Sequence, residues 1–352
     1  MSIGLTEEHQ ELARVARALL DSKEARAESR ALLEAPTDRL PSFWKDIAEL
    51  GWMGLHIDEA YGGQGFGLPE LSVVLEALGF AMAPGPFLPT TLTAALVAER
   101  GSDAAREALL PGLCDGSLVA AVGLGGDLAS DTDGRLVGSA GLVLGAELAQ
   151  IFAVCVGDDV ALVTPDQAGL SARPQKYLDP SRRVAAVRCD GVEVPASNRL
   201  PGARRACERR ARTLAAAAAA GGARPCTETA TDYATERVQF GRPIGTFGPV
   251  KHHCANMLVA TEQATAGAWG AAREDLGDAE AELAAAVASS LALPAFVWCA
   301  KQSIQVHGGI GYTWEHDAHL YLRRAVALES LMGPVDRARE DIVRLMEHGA
   351  RT

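Results

Sequence analysis

The sequence predicts an α+β fold built in three segments. These are an N-terminal helical domain (residues 1–113), a small central antiparallel β-barrel or sandwich (114–203), and a C-terminal, four-helix-bundle-like domain (204–352). Apolar residues recur at helical spacing in the first and last segments. Between them lie short Val-rich runs punctuated by Gly, Asp and Pro, the texture of strands and turns. Ala carries much of the apolar content, and Ala is the best helix former.

In the first segment, Thr6 followed by Glu7 and Glu8 reads as an N-cap with acids in the first turn. Leu12, Val15, Ala16, Leu19 and Leu20 follow at helical spacing, and Phe43, Ile47, Leu50 and Gly51 suggest a second helix. The loop Tyr61-Gly62-Gly63-Gln64-Gly65-Phe66-Gly67 is glycine-rich, which permits positive φ and close approach by another group. Leu71–Phe80 and Thr90–Arg100 read as helices, with breaks at Pro84, Pro86 and Pro89 between them. In the middle segment Leu118–Val122, Leu136–Val137, Ile151–Val156, Val160–Val163 and Val184–Val187 read as strands. Short strands with frequent turns favour a small antiparallel barrel or sandwich. The last segment has Ala-rich helical stretches around 211–237, 250–275, 278–306 and 334–347. Loops at Phe240–Gly245 and His307–Tyr312 interrupt it.

A formal net charge of −12 over 352 residues argues against general nucleic-acid binding, which needs Lys and Arg against phosphate. The local exception is Arg204, Arg205, Arg209, Arg210 and Arg212, read as a solvated helix start with an anion site as the alternative. The 7 cysteines are scattered and form no C-x-x-C pair, which fits a reducing compartment and disfavours a disulfide framework or a zinc site. Met1–Leu20 lacks the apolar core of a signal peptide, and the Leu214–Ala220 run is too short to span a bilayer. The expectation is a soluble, cytoplasmic protein without membrane partners. Glu315, His316, Asp317 and His319 form an isolated cluster with no second ligand group at recognisable spacing, so no metal is expected.

Two loops offer binding chemistry. Arg237 follows Glu236 at a helix end and precedes Gln239, Phe240 and Gly241. A fixed guanidinium there suits a pyrophosphate; the alternative is an intrahelical ion pair with an acid such as Asp232. The Gln305–Gly311 loop offers an amide side chain and backbone N–H groups without Cβ obstruction, and can be a dinucleotide contact or simply a turn.

Three stretches, "LGWMGLHIDEAYGGQGFG", "YATERVQFGRPIGTFGPVKHH" and "QVHGGIGYTWEHDAHLYLRRA", resemble acyl-CoA dehydrogenase motifs, in family order around a central β module. "LDPSRRVAAVRCDGVEVP" is similar, more loosely, to the end of that family's β domain. The resemblance implies FAD as cofactor, an acyl-CoA thioester as substrate and an electron-transfer flavoprotein as acceptor. It implies that Arg237, Gln239, Phe247, Gln305, Gly308 and Gly309 contact FAD, with the two motifs meeting it from different subunits. It places Arg212 near the substrate.

The family removes an α proton with a carboxylate while the β hydride passes to the flavin. The two positions where members place this Glu correspond here to Met332, before Gly333, and to Ala211, before Arg212. Neither side chain accepts a proton, so no catalytic residue is assigned. Pro334, Asp336 and Gly248 also replace commonly found residues, and Val122–Ser130 stands where a flavin-touching loop is usual. The reading this favours is a non-catalytic subunit paired with a base-bearing homologue in a heterotetramer. The resemblance extends to heteromeric members acting on bulky thioesters such as steroid side chains. The alternatives are a self-sufficient dehydrogenase with its base relocated to Glu329 or Glu208, and a flavin- or CoA-binding module without dehydrogenation.

Overall fold

The computed structural model describes residues 6–273 and 276–349. Six helices come first: α1 (Glu7–Ser22), α2 (Ala25–Leu32), α3 (Trp44–Glu49), α4 (Leu68–Phe80), α5 (Phe87–Arg100) and α6 (Asp103–Cys114). Then come β1 (Ala120–Gly123), β2 (Ala129–Ser130), β3 (Leu136–Leu144), β4 (Ile151–Val156), β5 (Asp159–Val163), β6 (Leu170–Gln175), β7 (Val184–Val192) and β8 (Arg199–Leu200). Helix α7 (Arg204–Glu236) leads into a hairpin of β9 (Val238–Gln239) and β10 (Arg242–Pro243). Helices α8 (Gly248–Ala272), α9 (Asp278–His307), α10 (Ala318–Met332) and α11 (Val335–Gly349) complete the chain. The α+β order read from the sequence is observed.

Contacts divide the chain into two compact units. One holds the described residues up to Asp21, Ser72–Ala83 and those from Arg212 onward; the other holds Ser22–Leu71 and Pro84–Ala211. This grouping follows packing, whereas the three segments read from sequence follow element type.

The first unit is helical. The Thr6 hydroxyl accepts from the His9 amide at 3.2 Å, so Thr6 caps α1 as its spacing predicts. α4 packs closely on α7: a Cβ at Gly79 would lie 2.2 Å from the Ala218 carbonyl oxygen, and one at Gly221 would lie 2.1 Å from that of Glu76. α9 has the length and apolarity of a bilayer span, but most of that stretch is buried inside the protein, as in the core helix of a bundle.

The second unit contains the main sheet, ordered β6-β7-β3-β1-β4-β5-β8, with β2 on β3. Its pairs are antiparallel except β1 with β4, which run parallel with Ala120 opposite Ile151. β4 is buried throughout, and α5 covers the sheet: Thr90 Oγ1 accepts from the Ala120 amide at 3.2 Å. The exposed β6 carries Pro174, whose missing N–H suits a sheet edge.

The structure adds α2, α6, α10, β2, β6, β8 and the β9–β10 hairpin, which the periodicity did not mark. It also moves the start of α5 back to Phe87, so Pro89 lies inside the helix and not at a break. Proline is tolerated there because first-turn N–H groups have no intrahelical partner. In the 61–67 loop, the group that approaches closely is the chain itself. A Cβ at Gly63 would sit 2.0 Å from the Ile57 carbonyl oxygen, which also accepts from the Gly65 amide at 2.9 Å.

Candidate functional site

Arg237 is the first residue beyond α7, anchored by its amide on the Tyr233 carbonyl at 2.8 Å. Its side chain is exposed and makes no ion pair or hydrogen bond among the described residues, so the pairing with Asp232 does not form. Its carbonyl accepts from Ile244, tying the hairpin back to the helix at 2.8 Å. The hairpin turns through Phe240 and Gly241 at φ 52° and 75°, the two positive values a type I′ turn requires. Phenylalanine is an expensive residue there, since a side chain in the left-handed region costs about 1–2 kcal/mol. Its ring is 93 % exposed. Phe247, just before α8, stacks edge-on with Phe240 at 6.1 Å and lies under the Arg242 guanidinium at 4.2 Å. Gln239 is exposed, and its amide donates to the Val238 carbonyl at 2.8 Å.

The second candidate segment caps α9. Gln305 is exposed on the last turn, and Gly308 turns at φ 64°. Gly309 has no positive φ, and a Cβ there would meet nothing within 4 Å. Nothing among the described residues requires the missing side chain, as expected where an outside group approaches the backbone.

The two segments share one end of the helical unit. The Tyr233 ring, one turn before Arg237, lies 4.7 Å from His307, the residue before Gly308. His307 in turn lies 4.4 Å from His316. The sequence reading missed Tyr233, Arg242 and His307; their one signal was adjacency to the motif residues.

Arg212 is largely buried and donates to Asp341 on α11 at 2.6 Å. Burial would raise the Asp341 carboxyl, but hydrogen bonds from Arg212 and Arg344 outweigh it and hold the group below its ordinary value. The charge of Arg212 is therefore already balanced. Met332 ends α10 half-buried, followed by Gly333 at φ 85°, and Ala211 is fully buried. Glu208 pairs with Arg204 on its own helix at 3.0 Å. At the arginine-rich start of α7, Arg205 is exposed as a solvated face requires, whereas Glu99 receives Arg209 at 2.7 Å and Arg210 at 3.0 Å. Among the described residues no three metal-capable side chains converge.

Residues 6–117 match the acyl-CoA dehydrogenase N-terminal domain family and residues 207–346 the C-terminal domain family. The acyl-CoA dehydrogenase IpdE2 of Mycolicibacterium smegmatis is 32 % identical over 340 residues, 96 % of this chain and 98 % of that protein. The acyl-CoA dehydrogenase FadE34 of Mycobacterium tuberculosis is 34 % identical over 90 % of this chain, which spans 44 % of the length of FadE34. Two solved structures superpose over 100 % of both chains. A variant of the Tcur3481-Tcur3483 steroid ACAD has a TM-score of 0.89 at 28 % identity. The ChsE4-ChsE5 complex from Mycobacterium tuberculosis has a TM-score of 0.88 at 25 % identity. The chain belongs to the acyl-CoA dehydrogenase family, whose members bind FAD.

Proposed function

We propose that this chain is a FAD-binding, non-catalytic subunit of a heteromeric acyl-CoA dehydrogenase, completing the flavin site of a base-bearing homologue. The observation that carries this reading is a contrast within one chain. Arg237 and the open Gly308–Gly309 backbone are free to meet a dinucleotide, while both family base positions hold side chains that cannot take a proton. The flavin, when bound, accepts the hydride from the β carbon of the thioester. Arg237 supplies the charge and paired donors a pyrophosphate needs, and Gln305 and the loop amides supply neutral donors beside it. Gln239 and Phe247 position the hairpin against the cofactor. Arg212, neutralised by Asp341, orients the substrate side of α7 and does not act as a free cation. The α proton must leave to a carboxylate brought by the partner.

Two similar structures, the Tcur3481-Tcur3483 steroid ACAD and the ChsE4-ChsE5 complex, support a two-chain assembly. A bulky acyl-CoA such as a steroid side-chain thioester is the substrate class we assign, and an electron-transfer flavoprotein the acceptor. The heterotetramer would work in the cytoplasm, in keeping with 7 free cysteines. A second reading rests on Glu329, half-buried one turn before Met332 on α10, as a relocated base. Co-expression with a base-bearing homologue decides between them. The mixed assembly should show flavin absorbance, defined stoichiometry and dye reduction with acyl-CoA, and the isolated chain loaded with FAD should show none. Robust turnover by the isolated chain, abolished in Glu329→Gln, would establish the second reading.

A further inference from the structure

The segment joining α9 to α10 is pinned at both ends by imidazoles, each through a hydrogen bond that sets the state of its Nδ1. His307 is buried, and its Nδ1 lies 2.7 Å from the Ser303 carbonyl oxygen. A carbonyl only accepts, so Nδ1 carries the proton and donates. His316 is bound in the opposite sense: the amide of Ala318, first residue of α10, donates to its Nδ1 at 3.1 Å. An amide only donates, so this Nδ1 must be bare and the ring neutral. His316 thereby satisfies one of the orphan N–H groups at the start of α10. The two rings lie 4.4 Å apart, with Tyr233 of α7 against the other side of His307. Glu315 and Asp317 flank His316 in the chain, and on α10 His319 stacks on Trp314 at 4.7 Å while Arg323 lies over the same indole at 5.6 Å. Between the pinned ends run Gly308 and Gly309.

We propose that His316 is a pH-sensitive positioning residue for the Gly308–Tyr312 loop, so that its protonation uncaps α10, loosens the loop and releases bound flavin. The proposal rests on the reading that this loop contacts FAD. Protonated Nδ1 cannot accept from Ala318, and the new positive charge falls at a helix N-terminus, the end that disfavours cations. The bare Nδ1 of His316 holds the start of α10, and a proton on that nitrogen removes the acceptor.

The test compares the full-length wild-type chain with His316→Asn, each assembled with its partner subunit where flavin retention requires one. Asparagine keeps an acceptor for the Ala318 amide but does not titrate. Flavin affinity is read by fluorescence at pH 8 and pH 5.5. Exchange of the 308–317 amides is read by mass spectrometry at the same values, corrected for intrinsic rates. Wild type should lose affinity on the order of ten-fold on acidification, the size expected from one cap and one misplaced charge, and the loop should lose protection with it. The Asn variant should match wild type at pH 8 and change less than about two-fold at pH 5.5, because its cap survives. Equal acid sensitivity in both proteins would overturn the proposal, as would a wild-type loop whose protection is unchanged. If neither protein binds flavin at pH 8, the FAD reading fails, and the exchange data alone decide whether His316 controls the loop.

Discussion

Glu76 is a largely enclosed carboxyl on α4, and the Trp269 indole N–H donates to it at 3.2 Å. Burial raises its pKa from 4.5 to about 7, against the lowering effects of Arg224, the Trp269 hydrogen bond and Arg17, with Glu262 adding to the rise. A folded-state value above the unfolded one means that this carboxyl's contribution to stability is fully present below pH 4.5. It is lost as the pH rises to about 7, where the buried group ionises. Glu76→Gln should therefore be near neutral at pH 4 and stabilising at pH 8. The gain should be about 2 kcal/mol, less than the full shift because part of the side chain reaches solvent. Urea unfolding at the two pH values checks it, and a destabilised variant at pH 8 would refute it. Among the described residues Arg237 has no side-chain partner to lose, so Arg237→Ala should leave the unfolding stability within about 0.5 kcal/mol of wild type. Flavin retention through dialysis should fall at least about ten-fold, since a pyrophosphate loses its charge-assisted donors. Full flavin stoichiometry in the variant would remove Arg237 from the site.

At the scale of elements, helix-to-helix spacing is set by glycine where there is no room for a Cβ. Gly221 on α7 faces the Glu76 carbonyl, and Gly222 faces the Phe296 ring, where a Cβ would sit 2.3 Å away. Gly270 on α8 has nothing within 4 Å. The same substitution should therefore have opposite signs. Gly221→Ala gains helix propensity but drives α4 from α7, a net loss of about 1–3 kcal/mol. Gly270→Ala gains propensity alone, about 0.5 kcal/mol near a helix end. Thermal unfolding of the pair tests whether backbone contact governs the first. The capped, strongly periodic helix α1 was readable from sequence because its signals are local. Helix α10 was not, because the residues preceding it resemble a metal-like cluster; its N-cap residue Asp317 makes no side-chain cap, and the His316 ring accepts from the Ala318 amide instead.

At the scale of the whole molecule, the helical unit leaves large rings in solvent. Phe240 is 93 % and Tyr312 76 % exposed, one on each candidate cofactor segment. Strain retained at Phe240 to present a ring to water is explicable if a second subunit covers it. Phe240→Asn makes a clean test, because Asn accepts the left-handed turn better than Phe. The isolated chain should become slightly more stable, while association, read by light scattering of the co-expressed assembly, should weaken at least about five-fold as an aromatic contact is lost. Unchanged association would place the interface elsewhere.

The sequence by itself determined the α+β order and the helical identity of both ends, and it singled out the two candidate binding segments. These were legible because periodicity, capping and motif spacing act over a few neighbouring residues, and the family resemblance matches Met332 and Ala211 to its two base positions. Tertiary structure decided what depends on partners far along the chain. It set the parallel pairing of β1 with β4 and the grouping of α4 with the C-terminal helices through Gly79 and Gly221. It balanced Arg212 with Asp341 and turned Arg209 and Arg210 into partners of Glu99. In the sequence Arg209 and Arg237 are the same residue type. One became a structural ion pair and the other an uncommitted cation because Glu99, 110 residues away, folds onto the first, and no carboxylate among the described residues reaches the second.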